Sequence, residues 1–320
     1  MHNLALLAPR HLHIPDGFLS LSVSLVGWLL AVAAIGYALR QTRGQLGSKQ
    51  IPLMGVLAAF IFAAQAINFP VAGGTSGHLL GGTLAAIILG PWAAVLVMTA
   101  VISVQALLFQ DGGLLVLGFN IINMGVLTAF TGHLVYQLLK QVLGEGRRSL
   151  LAAGAVGAWI SVMLGAMAAA VELAVSGASP LGVALPAMSG VHALIGVGEA
   201  LITVGALSFI TTARPDLLKL GQQAPAKASA NWVTGGLVLA LVLAALSPLA
   251  STRPDGLNRV AEDLGFGGQA QGPVFELLSG YAVPLINNDV LSKIVAVGVG
   301  TLVVFGLALL VARMQRKTTA

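Results

Sequence analysis

Residues Leu79 to Phe109 read LLGGTLAAIILGPWAAVLVMTAVISVQALLF. A helix needs about 20 apolar residues to cross a bilayer core, so this run exceeds one crossing and falls short of two full ones. Gly90-Pro91 breaks it near the middle, where one helix stops and the next can start. Read as two antiparallel segments, a short 79–90 and a full 91–109, it brings the chain to nine spans; read as one kinked span, it leaves eight. The other apolar stretches are 19–39, 51–69, 114–139, 150–171, 188–212, 232–249 and 290–312.

Basic residues decide between the two. With nine spans and the N-terminus outside, twelve of the sixteen Lys and Arg, from Arg40 to Lys317, fall on the inner side. Only Arg10, Arg253, Arg259 and Lys293 lie outside or at its margin, a strong positive-inside bias. The expected fold is an all-α, polytopic membrane protein of nine transmembrane helices, N-terminus outside and C-terminus inside. Composition agrees: 57% hydrophobic and 8% charged over 320 residues leaves too few polar groups to coat a soluble globule. The formal charge of +5 reflects bases flanking spans rather than a nucleic-acid surface. Without cysteine there is no disulfide framework and no thiolate site.

Two polar stretches divide the chain. Residues 214–231, rich in Ala, Pro and Lys, form an inner linker between a seven-span unit, 12–213, and a two-span unit, 232–320. Residues 251–289 form an outer loop whose carboxylates (Asp255, Glu262, Asp263, Glu276 and Asp289) are expected to be solvated charge. Residues 1–11 show no targeting logic: Leu4 to Ala8 is too short an apolar region, with no Lys or Arg before it.

Polar groups within or beside spans are the candidates for function, although many simply bond between helices. Of six His, three precede the first span (His2, His11 and His13), and His78 follows the second in PVAGGTSGH, on the same side of the membrane. Imidazole is the usual side-chain ligand for nickel, cobalt, copper and zinc. Gly73, Gly74 and Gly77 let the His78 loop approach a small solute closely, and they would equally serve a tight re-entrant turn. His192 and Glu199, seven apart, share a helix face, as do Asn120 with Asn123 and Gln65 with Asn68. Each pair fits a supporting role at a site or plain interhelical bonding. Glu172 is expected at the outer interface and His133 in a structural role; Ala59 and Ala63 form a small-residue face suited to a partner helix.

Gly74-Thr75-Ser76-Gly77 also matches the GxSG of intramembrane serine proteases, with His192 as a conceivable base, and keeps an enzyme alternative open. No Walker A motif and no HExxH occurs, so the chain cannot drive transport with ATP by itself.

At His13-Ile-Pro-Asp16-Gly-Phe18 and from Pro70 to Trp92 the chain resembles the CbiM/NikM substrate-specific components of energy-coupling factor transporters, which import cobalt or nickel. Asn120 to Gly125 (NIINMG) and His192 to Thr203 (HALIGVGEALIT) fit the same pattern. Pro254-Asp-Gly-Leu, Val260-Ala-Glu, Gly265-Phe266 and Tyr281-Ala-Val-Pro284 resemble the accessory CbiN/NikN component, so the chain looks like a fused M–N protein. The resemblance implies a non-enzymatic, multi-pass subunit of a prokaryotic cell membrane with no permanent cofactor and Co(II) or Ni(II) as transported substrate. Its implied partners are a transmembrane coupling subunit, ATP-binding-cassette ATPases and the lipid bilayer, with no nucleic acid. It also implies a chelate of a terminal amine, the following His amide and its imidazole, completed by a loop imidazole. Here those ligands are His13, His78 and the amine of Leu12, with Asp16, Gly74, Thr75, Ser76, Gly77, Asn120, Asn123, His192 and Glu199 around them. Square-planar nitrogen suits Ni(II) and Cu(II) and can hold Co(II).

Family members begin Met-His-Ile-Pro, whereas eleven residues and Leu12 precede His13 here. Translation starting at position 12 is the favoured explanation; Met1-His2 folding back, or trimming, are the others. A vitamin-binding subunit of the same transporter type is a further alternative, disfavoured by only 6% aromatic residues.

Overall fold

A computed structural model describes residues 13–218 and 231–316, apart from 273 and 276. The proposed extension 1–11, Leu12 and most of the linker (219–230) lie outside the described residues. Helices α1 (Leu21–Thr42) and α2 (Gln50–Gln65) lead into a hairpin of strands β1 (Phe69–Val71) and β2 (Thr75–Gly77). The short α3 (Gly82–Leu89) turns at once into α4 (Pro91–Val104), which continues through a wide π turn to Phe109. Then come α5 (Leu117–Ile121) and α6 (Thr128–Leu143), joined by a second π turn, and the long α7 (Arg147–Val175) and α8 (Leu181–Ala213). The second unit contributes α9 (Asn231–Leu246), a small outer helix α10 (Gly256–Asp263) and α11 (Asp289–Met314).

Seven helical stretches among the described residues are long and apolar enough to cross a membrane, and α2 is a shorter apolar helix. The fold is thus the expected helical membrane bundle. The segment expected at 79–90 is helical only over Gly82–Leu89. At 1.5 Å per residue it rises roughly 12 Å, a half-helix rather than a crossing. Gly90, at φ 86°, makes the reversal into α4, with Pro91 in the first helical turn. Helix α8 starts at Leu181, earlier than the expected 188, and carries Pro186 inside it.

The second unit is not a separate pair of helices: α11 and α9 pack along α2. Gly55 touches Leu309 and Phe305, and Gly300 receives the Phe62 ring, so small residues bring the backbones together. Ala59 and Ala63 are fully buried in this core, so the small-residue face expected to suit a partner helix is packed within the chain itself. Leu25, Leu29 and Val32 of α1 remain exposed, as side chains facing lipid would be.

Candidate functional site

The N-terminal segment is held by the loop before α5. Asp16 accepts hydrogen bonds from the main-chain N–H groups of Leu114 (2.9 Å), Leu115 (2.9 Å) and Val116 (3.2 Å). A carboxylate is favoured there because these donors open a helix N-terminus. Asn120 clamps Ile14 on both sides, its Oδ1 accepting from the Ile14 N–H at 3.1 Å and its Nδ2 donating to the Ile14 carbonyl at 3.0 Å. Asp16 and Asn120 therefore set the place of His13. Asp111, which sequence reasoning missed, presents its carbonyl 3.1 Å from Nδ1 of His13. Its carboxylate accepts from the Tyr281 hydroxyl at 2.7 Å. Burial, then the adjacent Asp111 charge, push that phenol well above its usual range, so it remains a donor.

The other half of the site is the hairpin. Gly73 and Gly74 turn at φ 84° and 78°, a conformation that suits glycine. Beyond β2, His78 directs Nδ1 at the Leu79 carbonyl (2.9 Å). Glu199 then fixes the chain, accepting from the N–H groups of Leu80 (2.6 Å) and Gly81 (2.9 Å). Gln65 adds a donor to the Leu80 carbonyl (2.8 Å) and accepts from Gln105 (2.8 Å). Glu199→Gln should leave one of the two amides facing another N–H group, costing about 1–3 kcal/mol. A lowered thermal midpoint together with weakened metal binding would check it.

These two segments bring the His13 and His78 rings to 5.6 Å between centroids, at 72° to each other. Both are buried, 3% and 7% exposed, and both line a cavity of about 90 Å³ shared with Gly77, Asn120, Asn123, His192 and Asp255. Among the described residues no three His, Asp or Glu side chains already converge as a metal-binding group. His192 reaches the cavity while Nδ1 bonds Met188 of its own helix (2.8 Å).

Two expectations change, those for Glu172 and Asp255. Glu172 is buried and accepts from Asn123 at 2.9 Å, so it is an interhelical partner rather than an interfacial charge. The short β1–β2 hairpin sits within the helical bundle that was expected. Asp255 is 4% exposed in the cavity wall, not solvated, and burial pushes its carboxyl up to about 8. The Ser76 hydroxyl donates to the Arg253 carbonyl (2.9 Å) rather than to an imidazole, the partner a nucleophilic serine needs. The Ser76 N–H and the Thr75 hydroxyl both donate to Pro254 (2.8 and 3.0 Å), so the hairpin edge is paired with the second unit. A signal for Asp255 was present, since Pro-Asp-Gly followed by a large apolar residue occurs at both 15–18 and 254–257.

Known proteins share this architecture. Residues 13–217 match the family described as "Cobalt uptake substrate-specific transmembrane region", CbiM, and residues 230–317 match the PDGLE domain. The chain is 36% identical over 308 residues to a putative fused nickel transport protein, NikMN, of Archaeoglobus fulgidus, covering 95% of this chain and 99% of that one. It is 33% identical to the cobalt transport protein CbiM of Sorangium cellulosum, over 65% of this chain and 94% of that one. A crystal structure of a truncated transition metal transporter superposes with TM-score 0.57 at 32% identity, over 63% of this chain and 99% of that one. With more than half of its length matched, and the two units following one another in one polypeptide, the chain belongs to the CbiM family and carries a PDGLE domain fused behind it.

Proposed function

We propose that the chain is the metal-capturing subunit of an ATP-driven importer of divalent nickel or cobalt. The observation that carries the reading is the meeting of His13 and His78 in one buried cavity, although their segments are far apart in sequence. The substrate ion is held by the His78 imidazole, by the His13 imidazole and main-chain amide, and by an amine at position 12. The ring closed through the His13 amide is six-membered only if Nδ1 is the donor. That nitrogen lies 3.1 Å from the Asp111 carbonyl, so a metal bonded through it would take the place of this hydrogen bond. With no Walker A motif in the chain, the energy must come from separate ATPases through a transmembrane coupling subunit.

Cells that make the chain with those subunits should accumulate nickel or cobalt, and an ATPase that cannot hydrolyse ATP should abolish the uptake. Ser76→Ala should retain uptake, at a stability cost of about 1 kcal/mol for one lost hydrogen bond. Loss of uptake in a stably folded Ser76→Ala chain would favour a nucleophilic role instead.

A further inference from the structure

The outer loop of the second unit is tied to the segment that runs from α4 to Asp111. The Leu278 N–H donates to the Leu108 carbonyl at 3.2 Å, and the Val274 N–H donates to Oε1 of Gln110 at 3.1 Å. The third tie is the buried bond from the Tyr281 hydroxyl to Oδ2 of Asp111, at 2.7 Å. The Tyr281 ring stacks on Phe109, with centroids 4.6 Å apart and planes at 14°. Among the described residues only Gln110 and Tyr281 combine a side chain with a positive φ, at 53° and 61°. Such backbone costs free energy and persists where the surroundings over-determine it, commonly at functional sites. Both meet at this contact, since Gln110 precedes Asp111 and Tyr281 bonds it.

The same carboxylate stands beside a proposed ligand. Oδ1 of Asp111 lies 3.9 Å from Nδ1 of His13, beyond hydrogen-bond reach, whereas the neutral Asp111 carbonyl lies at 3.1 Å. We propose that Tyr281 is a positioning residue for metal capture: by holding Oδ2 of Asp111, its hydroxyl keeps the carboxylate off Nδ1 of His13 and leaves that nitrogen accessible to the ion. The ligand set is unchanged, and the proposal rests on the reading of His13 as a ligand through Nδ1. Released from Tyr281, the carboxylate needs to move only about 1 Å to bond the imidazole N–H. Both side chains are buried, which favours a protein partner over water for a freed carboxylate. The new bond would be charge-assisted and roughly twice as strong as one to a neutral acceptor. A metal displaces it less readily than it displaces the carbonyl.

The test uses the full chain in detergent, nickel(II) as the probe and Tyr281→Phe, which keeps the ring on Phe109 and removes the hydroxyl alone. Tyr281→Phe should bind nickel about 10–100-fold more weakly, the range typical of groups that act through a ligand. With nitrogen-15 in the histidines, the metal-free variant should show a strongly deshielded imidazole N–H resonance from the new bond to the carboxylate. The unaltered chain should lack it. Adding Asp111→Ala removes the competing group, so the resonance should vanish and the affinity should return toward that of the unaltered chain. Removing both partners of a buried hydrogen bond can be nearly neutral for stability, so the double variant should fold. Unchanged affinity in Tyr281→Phe would overturn the proposal. So would weaker binding without the new resonance, or weaker binding that Asp111→Ala leaves in place, since the hydroxyl would then serve the fold alone. In each of these cases the unaltered chain still binds nickel, and His13 and His78 stand as ligands. If the unaltered chain takes up no nickel, the reading of the two histidines fails, and this proposal with it.

Discussion

Alanine at position 78 is expected to abolish nickel and cobalt binding while the bundle still folds. The His78 ring bonds the carbonyl of the next residue, whereas the backbone beyond it is held by Glu199 and Gln65. Truncation therefore removes a donor without releasing the hairpin. Losing a group that merely orients a ligand typically costs about 10–100-fold in affinity, and losing the ligand itself should cost more. Competition of the purified chain against a chromophoric chelator measures this directly. Affinity within tenfold of the unaltered chain would exclude His78 as a ligand.

Asp16→Ala is expected to be worse for the protein as a whole. Three main-chain N–H groups at the start of α5 lose their acceptor, and a buried donor left without one costs about 1–3 kcal/mol. The Asp16 carbonyl also accepts from the Gln271 N–H at 2.8 Å, so the segment anchors the second unit's outer loop. Release of residues 13–18 removes His13 from the cavity, and metal binding should fall together with the thermal midpoint. Asp16→Asn keeps the shape and some acceptor capacity, so it should be intermediate in both. Full metal affinity in a destabilised Asp16→Ala chain would show that His13 is placed by something else.

The apolar segments were legible because membrane crossing imposes a length and a composition. The two histidines were legible because imidazoles in an otherwise non-polar chain have few other reasons to sit on one side of it. The helix-face pairing of His192 with Glu199 was read, but not its division of labour. Glu199 proves to be the acceptor for the turn after His78, a contact between residues more than a hundred apart that no local pattern encodes. Asp16 was placed near the ligands only through the resemblance; its donors lie before α5, about a hundred residues away, for the same reason. Asp255 was misjudged because acidic residues in an outer loop are usually solvated. Its burial depends on the hairpin edge receiving residues 253–255 as a partner, which only the assembled fold reveals. Ala59 and Ala63 were correctly read as a packing face, but α11 of the same chain competes successfully for that region.

The central claim is that a divalent ion is held between the N-terminal segment and the glycine-rich hairpin. Crystals of the chain grown with nickel(II), with diffraction collected on both sides of the nickel absorption edge, locate the ion without assumptions about the ligands. The account predicts one strong anomalous peak in the cavity, in bonding contact with His13 and His78. A peak elsewhere, at the inner basic loops or at the exposed carboxylates of α10, with the cavity free of nickel, would contradict it.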